Sequence, residues 1–292
     1  MLLVIDVGNT NLSAAAVRDA RLGTVRRAST PATATPDEVE ALLDGLLRLD
    51  HASLEEVDRV ALASVVPGVS AAVRRVAERR GIGLLEASSE TIGIAVDVES
   101  PAEVGPDRLV NAMAASRLYG VPAIVVDLGT ATTFDVVDGR GAFVGGAIAP
   151  GLEIGLDALA ARTAKLPRVE ARVPARAIGR STVAAMQAGA VFGHMGLVRE
   201  LLERIQDEIS ADASVRATAV ATGGLAASPW IRGLEGIDAV DPSLTLKGLV
   251  MLDEAQAAGR EAEAAARAGA AVGRGGGTGA FPRAVGSGGA SR

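Results

Sequence analysis

The sequence predicts an α/β fold made of two duplicated halves. Apolar strand segments alternate with periodic helix segments along most of the 292 residues, which is the pattern of layered α/β proteins. The pattern restarts near residue 120. Asp6 and Asp127, 121 positions apart, each end an apolar strand and begin a D-x-G turn. An internal duplication explains the repeat.

Strands are expected to open the first half. The apolar run that ends at Asp6 is followed by the turn residues Gly8 and Asn9, as in a hairpin. Thr35 followed by Pro36 predicts a helix start, because threonine caps helices and proline is favoured at their first position. The expected elements are strands at 2–6, 12–19 and 24–30, a helix from 36 to about 47, a strand at 59–66, a helix around 73–77 and a strand at 83–87.

The second half repeats this order. A helix is expected at 108–119, then a strand, turn and strand over 122–138, and a glycine turn at 221–228 that opens another helix. Alanine-rich residues 254–270 favour extension of a last helix, and the glycine-rich end predicts disorder. The expected units are an N-terminal half at 1–118, a C-terminal half at 119–255 and a disordered tail at 256–292.

Composition excludes several classes of site. The chain has no cysteine and only two histidines, which excludes thiolate metal sites and makes a multi-histidine site untenable. The net charge of −6 and the low aromatic content argue against nucleic-acid binding. No apolar run approaches the roughly 18–20 residues of a membrane span, and Asp6 interrupts the first apolar stretch where a secretory signal would continue. We expect a cytoplasmic protein.

The paired D-x-G turns predict a phosphate site. Glycine lets the backbone approach a ligand, and successive N–H groups can bind an anion, while the aspartate can hold a cation that bridges to phosphate. One D-x-G is an ordinary hairpin turn; two at duplicated positions favour a clamp that closes from both halves. A Walker motif is absent, the only lysines are Lys165 and Lys247, and no G-x-G-x-x-G follows a strand. Backbone amides and metal would therefore replace the usual lysine.

A third motif is Gly105-Pro106-Asp107-Arg108, which precedes a predicted helix. An adjacent acid and arginine are commonly a solvated ion pair or a helix cap. Alternatively, Asp107 accepts a proton from a substrate hydroxyl and Arg108 binds an anionic group of the same substrate. The residues alone leave both interpretations open.

Together, these motifs resemble type III pantothenate kinases. The resemblance covers residues 1–252 and rests on D-V-G-N-T-N, G-x-D-R, D-L-G-T-A-T-T, G-G-A-I-A-P-G and T-G-G-L in this order. It implies membership of the acetate kinase, sugar kinase, Hsp70 and actin superfamily, in which two duplicated ribonuclease-H-like halves clasp a nucleotide.

The resemblance also implies a nucleotide site. ATP would contact the first phosphate motif, with Mg²⁺ near Asp6. Asp127 would hold a monovalent cation, K⁺ or NH₄⁺, and Thr130 would contact ATP with support from Thr132. The adenosine would lie against Gly223 and Gly224. The first phosphate motif comprises Asp6, Val7, Gly8, Asn9, Thr10, Asn11, Leu12 and Ser13.

For pantothenate, the resemblance implies a site at Gly105, Pro106, Asp107 and Arg108, with Asp107 as proton acceptor and Arg108 as the carboxylate partner. Thr182 would reach the pantothenate bound to the second subunit of a homodimer. Two departures affect this site: Val98 stands where a tyrosine is usual, and Pro106 where a small residue is usual.

The leading hypothesis is therefore an ATP-dependent pantothenate kinase of coenzyme A synthesis. Val98 and Pro106 motivate one alternative, a kinase for another small hydroxy acid. A second alternative is a nucleotide-binding accessory or regulatory protein without turnover. The intact Asp107-Arg108 pair argues against the second, because a non-catalytic binder needs no base there.

Overall fold

The computed structural model describes residues 1–213 and 215–273, and it describes their side chains except at 211–213, 232 and 263–273. Residues Met1–Asp253 form one compact unit, and a second unit begins at Glu254. No helix in these described segments is both long enough and apolar enough to cross a membrane.

A mixed sheet forms the first half. Its central hairpin joins β1 and β2 in antiparallel fashion, and β5 and β6 continue the sheet in parallel from β1. The strand order is β3-β2-β1-β5-β6, with β4 also paired to β2. The strands are β1 (Leu2–Val7), β2 (Asn11–Arg18), β3 (Arg21–Leu22), β4 (Arg26–Ser29), β5 (Arg59–Ser64) and β6 (Gly83–Glu86).

Helices α1 (Pro36–Arg48) and α2 (Pro67–Arg80) cover the outer face of this sheet. Thr35 begins α1 through a capping box: its hydroxyl accepts from the Glu38 N–H at 3.3 Å, and Glu38 accepts from the Thr35 N–H at 2.7 Å. The predicted start of this helix is confirmed. The strand predicted at 59–66 ends at Ser64, because the chain turns there into α2, whose first residue is Pro67.

The second sheet repeats the strand order of the first. Its order, read from its last antiparallel strand, is β9-β8-β7-β10-β11, which matches β3-β2-β1-β5-β6 strand for strand. In both sheets the hairpin is antiparallel and the later strands are parallel. The predicted duplication is confirmed. The strands are β7 (Ala123–Leu128), β8 (Ala131–Val137), β9 (Phe143–Pro150), β10 (Thr218–Thr222) and β11 (Ala239–Val240).

Helix α3 (Pro106–Tyr119) and the first part of α6 (Leu244–Gly273) pack between the sheets. One central cluster contains buried side chains from both sheets and both helices, among them Val4, Val110, Val125 and Leu249. We call the sheet faces that line this cluster the inner faces. Because α3 begins at Pro106, the fold places Asp107 at the end of a helix buried between the two halves.

Helices α4 (Leu152–Arg162) and α5 (Thr182–Ala213) cover the outer face of the second sheet. The helix predicted to follow Gly223-Gly224 is wrong: residues 223–228 form turns with i to i+3 hydrogen bonds, and a 3₁₀ helix at Pro229–Gly233 follows. Pro229 lacks the N–H that an α-helix would use there. Of the predicted tail, residues 256–273 belong to α6, and 274–292 lie outside the described residues.

Candidate active site

The two D-x-G turns meet. Thr10 Oγ1 and Thr130 Oγ1, one from each turn, are 2.9 Å apart and share a hydrogen bond. The first residue of each turn closes it by a hydrogen bond of 3.0 Å, from the Gly8 N–H to the Asn11 carbonyl and from the Gly129 N–H to the Ala131 carbonyl, so the second turn is one residue shorter than the first. The duplicated hairpins therefore present their small polar residues to one common point.

The residues of the first phosphate motif differ in how much of their side chains a ligand could reach. Asn9, Thr10 and Asn11 are exposed, whereas Val7 and Leu12 are buried in the outer core beside α1 and α2. Val7 pairs with Leu12 across the hairpin, and Asp6 pairs with Ser13. Val7 and Leu12 can therefore contribute only backbone groups to a ligand.

Asp127 lies where three segments converge. Its Oδ2 accepts a hydrogen bond from Asn111 Nδ2 of α3 at 3.1 Å, and Asn111 Oδ1 accepts from Thr245 Oγ1 of α6 at 2.8 Å. On its other side, a Cβ placed on Gly223 would lie 2.2 Å from Asp127 Oδ1. The glycine turn therefore approaches this carboxylate as no other residue could. Gly224 is exposed beside it.

Thr132 lies behind the second turn. It is buried, and its hydroxyl forms a hydrogen bond of 3.1 Å with His194 Nε2 on α5. His194 packs edge-to-face on Trp230, with ring centroids 5.7 Å apart, and burial lowers its pKa. Thr130 is exposed in the turn itself. Thr132 thus supports the turn from the interior, with a histidine partner that the motifs did not indicate.

The G-P-D-R segment forms the start of α3. Gly105 is the N-cap, and a Cβ at this position would lie 2.5 Å from Asp107 Oδ1, so a larger residue would displace the Asp107 carboxylate. Asp107 Oδ1 accepts from the Arg108 N–H at 2.9 Å. Pro106 occupies the first helical position, where no backbone donor is needed. Proline in place of the usual small residue therefore leaves the start of α3 intact.

Arg108 is held by a residue that the motifs did not indicate. Its Nε donates to Asp135 Oδ1 of β8 at 2.5 Å, and Asp135 is fully buried. Thr133 Oγ1 donates to Asp135 Oδ2 at 3.3 Å, and the Arg108 guanidinium lies 5.6 Å from the centre of the Phe143 ring. The hydrogen bond from Arg108 to Asp135 on β8 thus fixes the orientation of the Arg108 side chain.

Val98 and Thr182 complete the set of predicted site residues. Val98 is half-buried against the central core, and its Cγ1 would be 3.9 Å from a Cβ on Gly145 of β9. Thr182, the first residue of α5, is exposed. Among the described residues, it has no hydrogen bond to the G-P-D-R segment.

Three carboxylates of the site repel one another. Burial, followed by the charges of Asp107 and Asp127, raises the pKa of Asp6 well above its usual value. Burial and the charge of Asp107 raise the pKa of Asp127 to about 6, although the hydrogen bond from Asn111 opposes the shift. Burial also raises the pKa of Asp107 itself. The site therefore concentrates negative charge that a cation would relieve.

Asp135 is affected in the same way. Burial raises its pKa to about 7, while the Arg108 guanidinium beside it offsets part of the shift. The ion pair with Arg108 compensates a charge that would be costly to bury alone.

Comparison with known proteins decides the family. Residues 2–204 match the family model for type III pantothenate kinase. The chain belongs to this family.

Relatives agree over nearly their whole length. A type III pantothenate kinase from Moorella thermoacetica is 44% identical over 262 residues, which span 87% of this chain and 99% of the relative. One from Frankia casuarinae is 43% identical over 258 residues, with 87% and 99% covered. Among solved structures, a protein from Campylobacter jejuni described as a Baf family transcriptional activator superposes with a TM-score of 0.50 at 15% identity, covering 87% of this chain and 98% of that one. This last similarity concerns the fold alone.

The carboxylates of this type III pantothenate kinase suit hard cations. Asp6 and Asp127 each stand one residue before the end of a central strand, and burial, followed by the charges of neighbouring carboxylates, raises their pKa values. The described residues contain no group of three His, Cys, Asp or Glu side chains that could hold a metal alone. The carboxylates of Asp6 and Asp127 fit Mg²⁺, which commonly binds through one or two carboxylates, water and substrate phosphate.

Proposed function

We propose that the protein transfers the γ-phosphoryl group of ATP to the primary hydroxyl of pantothenate. The product is 4′-phosphopantothenate, and the reaction is the first step of coenzyme A synthesis. The observation that carries the proposal is the contact between the two phosphate turns of a pantothenate kinase family member, with the candidate base Asp107 close enough for its charge to raise the pKa values of Asp6 and Asp127. A cytoplasmic location follows, because ATP is supplied there.

ATP binds between the two D-x-G turns in this proposal. Backbone N–H groups and the hydroxyl groups of Thr10 and Thr130 surround the phosphates, and the turn at Gly223-Gly224 lies against the adenosine. The contact between the two threonines supports this assignment, because phosphate oxygens placed between the hydroxyls would replace their mutual hydrogen bond.

Asp107 acts as the general base. The pantothenate hydroxyl gives its proton to the Asp107 carboxylate as its oxygen bonds to the γ-phosphorus, and the bond from phosphorus to the bridging oxygen breaks to release ADP. The raised pKa of Asp107 favours this role, because a base accepts a proton better as its pKa approaches the working pH. Its position at the rigid start of α3 fixes the carboxylate before substrate arrives.

Arg108 binds the pantothenate carboxylate, and Asp135 positions it. Asp135 takes the Arg108 Nε hydrogen bond, so the terminal nitrogens of the guanidinium stay available for a planar anion. Val98 lies beside Gly145 of β9, where it gives the pantoyl end of the substrate an apolar contact instead of a tyrosine hydroxyl.

Cations complete the site. Asp6 would hold Mg²⁺, and Asp127 would hold a monovalent cation, K⁺ or NH₄⁺. These ions would neutralise charge on the phosphate oxygens. The raised pKa values of both carboxylates support the assignment.

A homodimer completes the pantothenate site. Large apolar side chains are exposed along β9, α4, the segment after α4 and α5; among them Ile148 is 66% exposed and Ile178 80%. Thr182 follows Ile178 on this surface, so a second copy that covers the apolar side chains would bring Thr182 near its partner. The exposed set comprises Ile148, Ile154, Leu159, Ile178, Val183 and Phe192.

The test is ATP- and Mg²⁺-dependent phosphorylation of pantothenate, with and without K⁺, for wild type and Asp107→Asn. We expect turnover that K⁺ stimulates and that falls by about 10²–10⁴ in the variant, while the Kd for ATP changes little. ATP binding without pantothenate turnover would favour another hydroxy acid as substrate. Failure to bind nucleotide would favour the accessory-protein alternative.

A further inference from the structure

Two adjacent arginines on β4 face opposite sides of the first sheet. Successive residues of a strand point to opposite faces, so Arg26 and Arg27 must diverge. Arg26 turns to the outer side, where its guanidinium forms a bidentate ion pair with Asp50 at 2.6 and 3.0 Å. Arg26 therefore has a structural partner.

Arg27 faces the inner side, in line with Asp6. Asp6 pairs with Ser13 across β1 and β2, and Ser13 pairs with Arg27 across β2 and β4. Directly paired residues share a face, and neighbouring strands lie about 4.8 Å apart, so the Cα atoms of Asp6 and Arg27 are about 10 Å apart. Val25, two residues before Arg27, packs on the central cluster and confirms the face.

The end of β4 is tied to the first phosphate turn. The Thr30 N–H donates to the Thr10 carbonyl at 2.9 Å, and Thr30 Oγ1 donates to the Gly8 carbonyl at 2.6 Å. Arg27 therefore belongs to a strand whose position is fixed by the turn itself.

Two other basic side chains, one on α3 and one on α6, already have ion-pair partners. Arg108 is paired with Asp135, and Lys247 is paired with Asp241 at 2.7 Å. Arg27 is exposed and, within the described residues, forms no hydrogen bond or ion pair. The charge of Arg27 nevertheless acts on Asp6, whose pKa it lowers against the effect of burial. An arginine that is free to move and stands at the edge of an acidic site can bind an anionic ligand.

We propose that Arg27 contacts the γ-phosphoryl group of ATP and takes the part that a lysine plays in Walker-type sites. The inference rests on the proposed kinase function. Arg27 would bind oxygens of the transferring phosphoryl group while the pantothenate oxygen attacks and ADP leaves, so its charge stabilises the oxygens without gaining or losing a proton. Its position beside Asp6, at the first turn, assigns it to the γ-phosphoryl end of the nucleotide.

The kinetic test compares Arg27→Gln, Arg27→Lys and the matched control Arg26→Gln. Arg27→Gln should lower kcat for pantothenate phosphorylation by about 10²–10³, the usual loss for one group that stabilises transferred charge. Arg27→Lys should recover at least tenfold of that loss. Arg26→Gln should lower the melting temperature but keep kcat within about threefold of wild type. A kcat for Arg27→Gln within threefold of wild type would overturn the proposal.

The binding test does not require turnover. Titration of each protein with Mg²⁺ and either ADP or a non-hydrolysable ATP analogue separates the γ-phosphate from the rest of the nucleotide. Arg27→Gln should weaken analogue binding about tenfold, the loss expected for one moderate contact, and leave ADP binding unchanged. Equal losses for both nucleotides, in a variant with an unchanged melting temperature, would overturn the assignment. If wild type binds nucleotide but does not phosphorylate pantothenate, the proposed function is wrong. The ratio of the Kd values for ADP and the analogue still tests the role of Arg27 in that case.

Discussion

Asp127 shows at the residue scale how an acid is kept ready for a cation. Asn111 and Gly223 confine its two oxygens, and burial, together with the negative charge of Asp107, opposes its ionisation. The carboxylate is therefore less favourable in the folded protein than in the unfolded chain. A bound cation would reverse this penalty, so ligand binding and stability are linked at one residue.

Asp127→Asn is expected to stabilise the cation-free protein above pH 6. The pKa of Asp127 in the folded state, about 6, exceeds the roughly 3.9 of an unfolded chain, so the free energy of unfolding falls as the pH rises from about 4 to 6. Removing the charge should restore about 1–3 kcal/mol at pH 7.5 and nothing below pH 4. Melting temperatures of wild type and variant across pH 4–8, without K⁺, give the comparison.

The control for this experiment is the same pair of proteins in K⁺. Wild type should gain stability on adding K⁺, and the variant should not. A lower melting temperature for the variant at pH 7.5 without K⁺ would contradict the prediction.

Sequence reasoning found the contiguous motifs of the site but missed the residues that hold them. Asp6, Asp107 and Asp127 stand in short motifs, so their chemistry was recognisable. Asp135 and Asn111 depend on how α3 packs on the second sheet, which no local pattern encodes. A weak signal existed for Asp135: it is an acid inside the apolar run T-F-D-V-V.

At the scale of elements, β9 is constrained by a close backbone contact. A Cβ on Gly146 would lie 1.6 Å from the Phe134 carbonyl oxygen of β8, and Gly146 pairs with Asp135. The same hypothetical Cβ would be 3.3 Å from Arg108 Nη2. The glycines of G-G-A-I-A-P-G thus let β9 pass over the Arg108–Asp135 pair.

Gly146→Ala should therefore damage both stability and substrate binding. Because the new methyl group meets backbone, β9 must shift, at a cost of about 1–3 kcal/mol or more. The melting temperature should fall by several degrees, and the KM for pantothenate should rise more than that for ATP. Gly45→Ala in α1 is the control: nothing lies within 4 Å of its added Cβ, and alanine favours helix. An unchanged KM for pantothenate in a folded Gly146→Ala would contradict the assignment.

The elements themselves were largely predictable. Strands and helices of the first half follow local periodicity and capping, as the Thr35 capping box illustrates. The turn after β10 is the exception. The G-G-L-A-A run resembles a helix start, but Pro229 interrupts a helix there, and the close approach of Gly223 to Asp127 depends on the tertiary fold.

At the scale of the whole molecule, the exposed apolar surface around Ile148 is the feature that a single copy leaves unexplained. Apolar patches of this kind mark interfaces. The family model covers β9, α4 and most of α5, so this surface belongs to the part of the chain shared with the family.

Ile148→Asp should convert the proposed dimer to monomers. A charge placed within an apolar interface must be desolvated without a partner, which costs several kcal/mol. Light scattering should give the mass of a single chain, and pantothenate phosphorylation should fall while ATP binding persists. Leu49→Asp is the control, since Leu49 is 60% exposed at the end of α1 in the other half. A dimeric Ile148→Asp, or a monomeric wild type, would contradict the prediction.

The contact between Thr10 and Thr130 offers a way to follow the distance between the two D-x-G turns. The sequence contains no cysteine, so thiols introduced at these two positions would be the only ones in the protein. Whether they oxidise to a disulfide would then report, without any background, whether the two halves are in contact at that point. A nucleotide bound between the two thiols would be detected because it slows their oxidation to a disulfide.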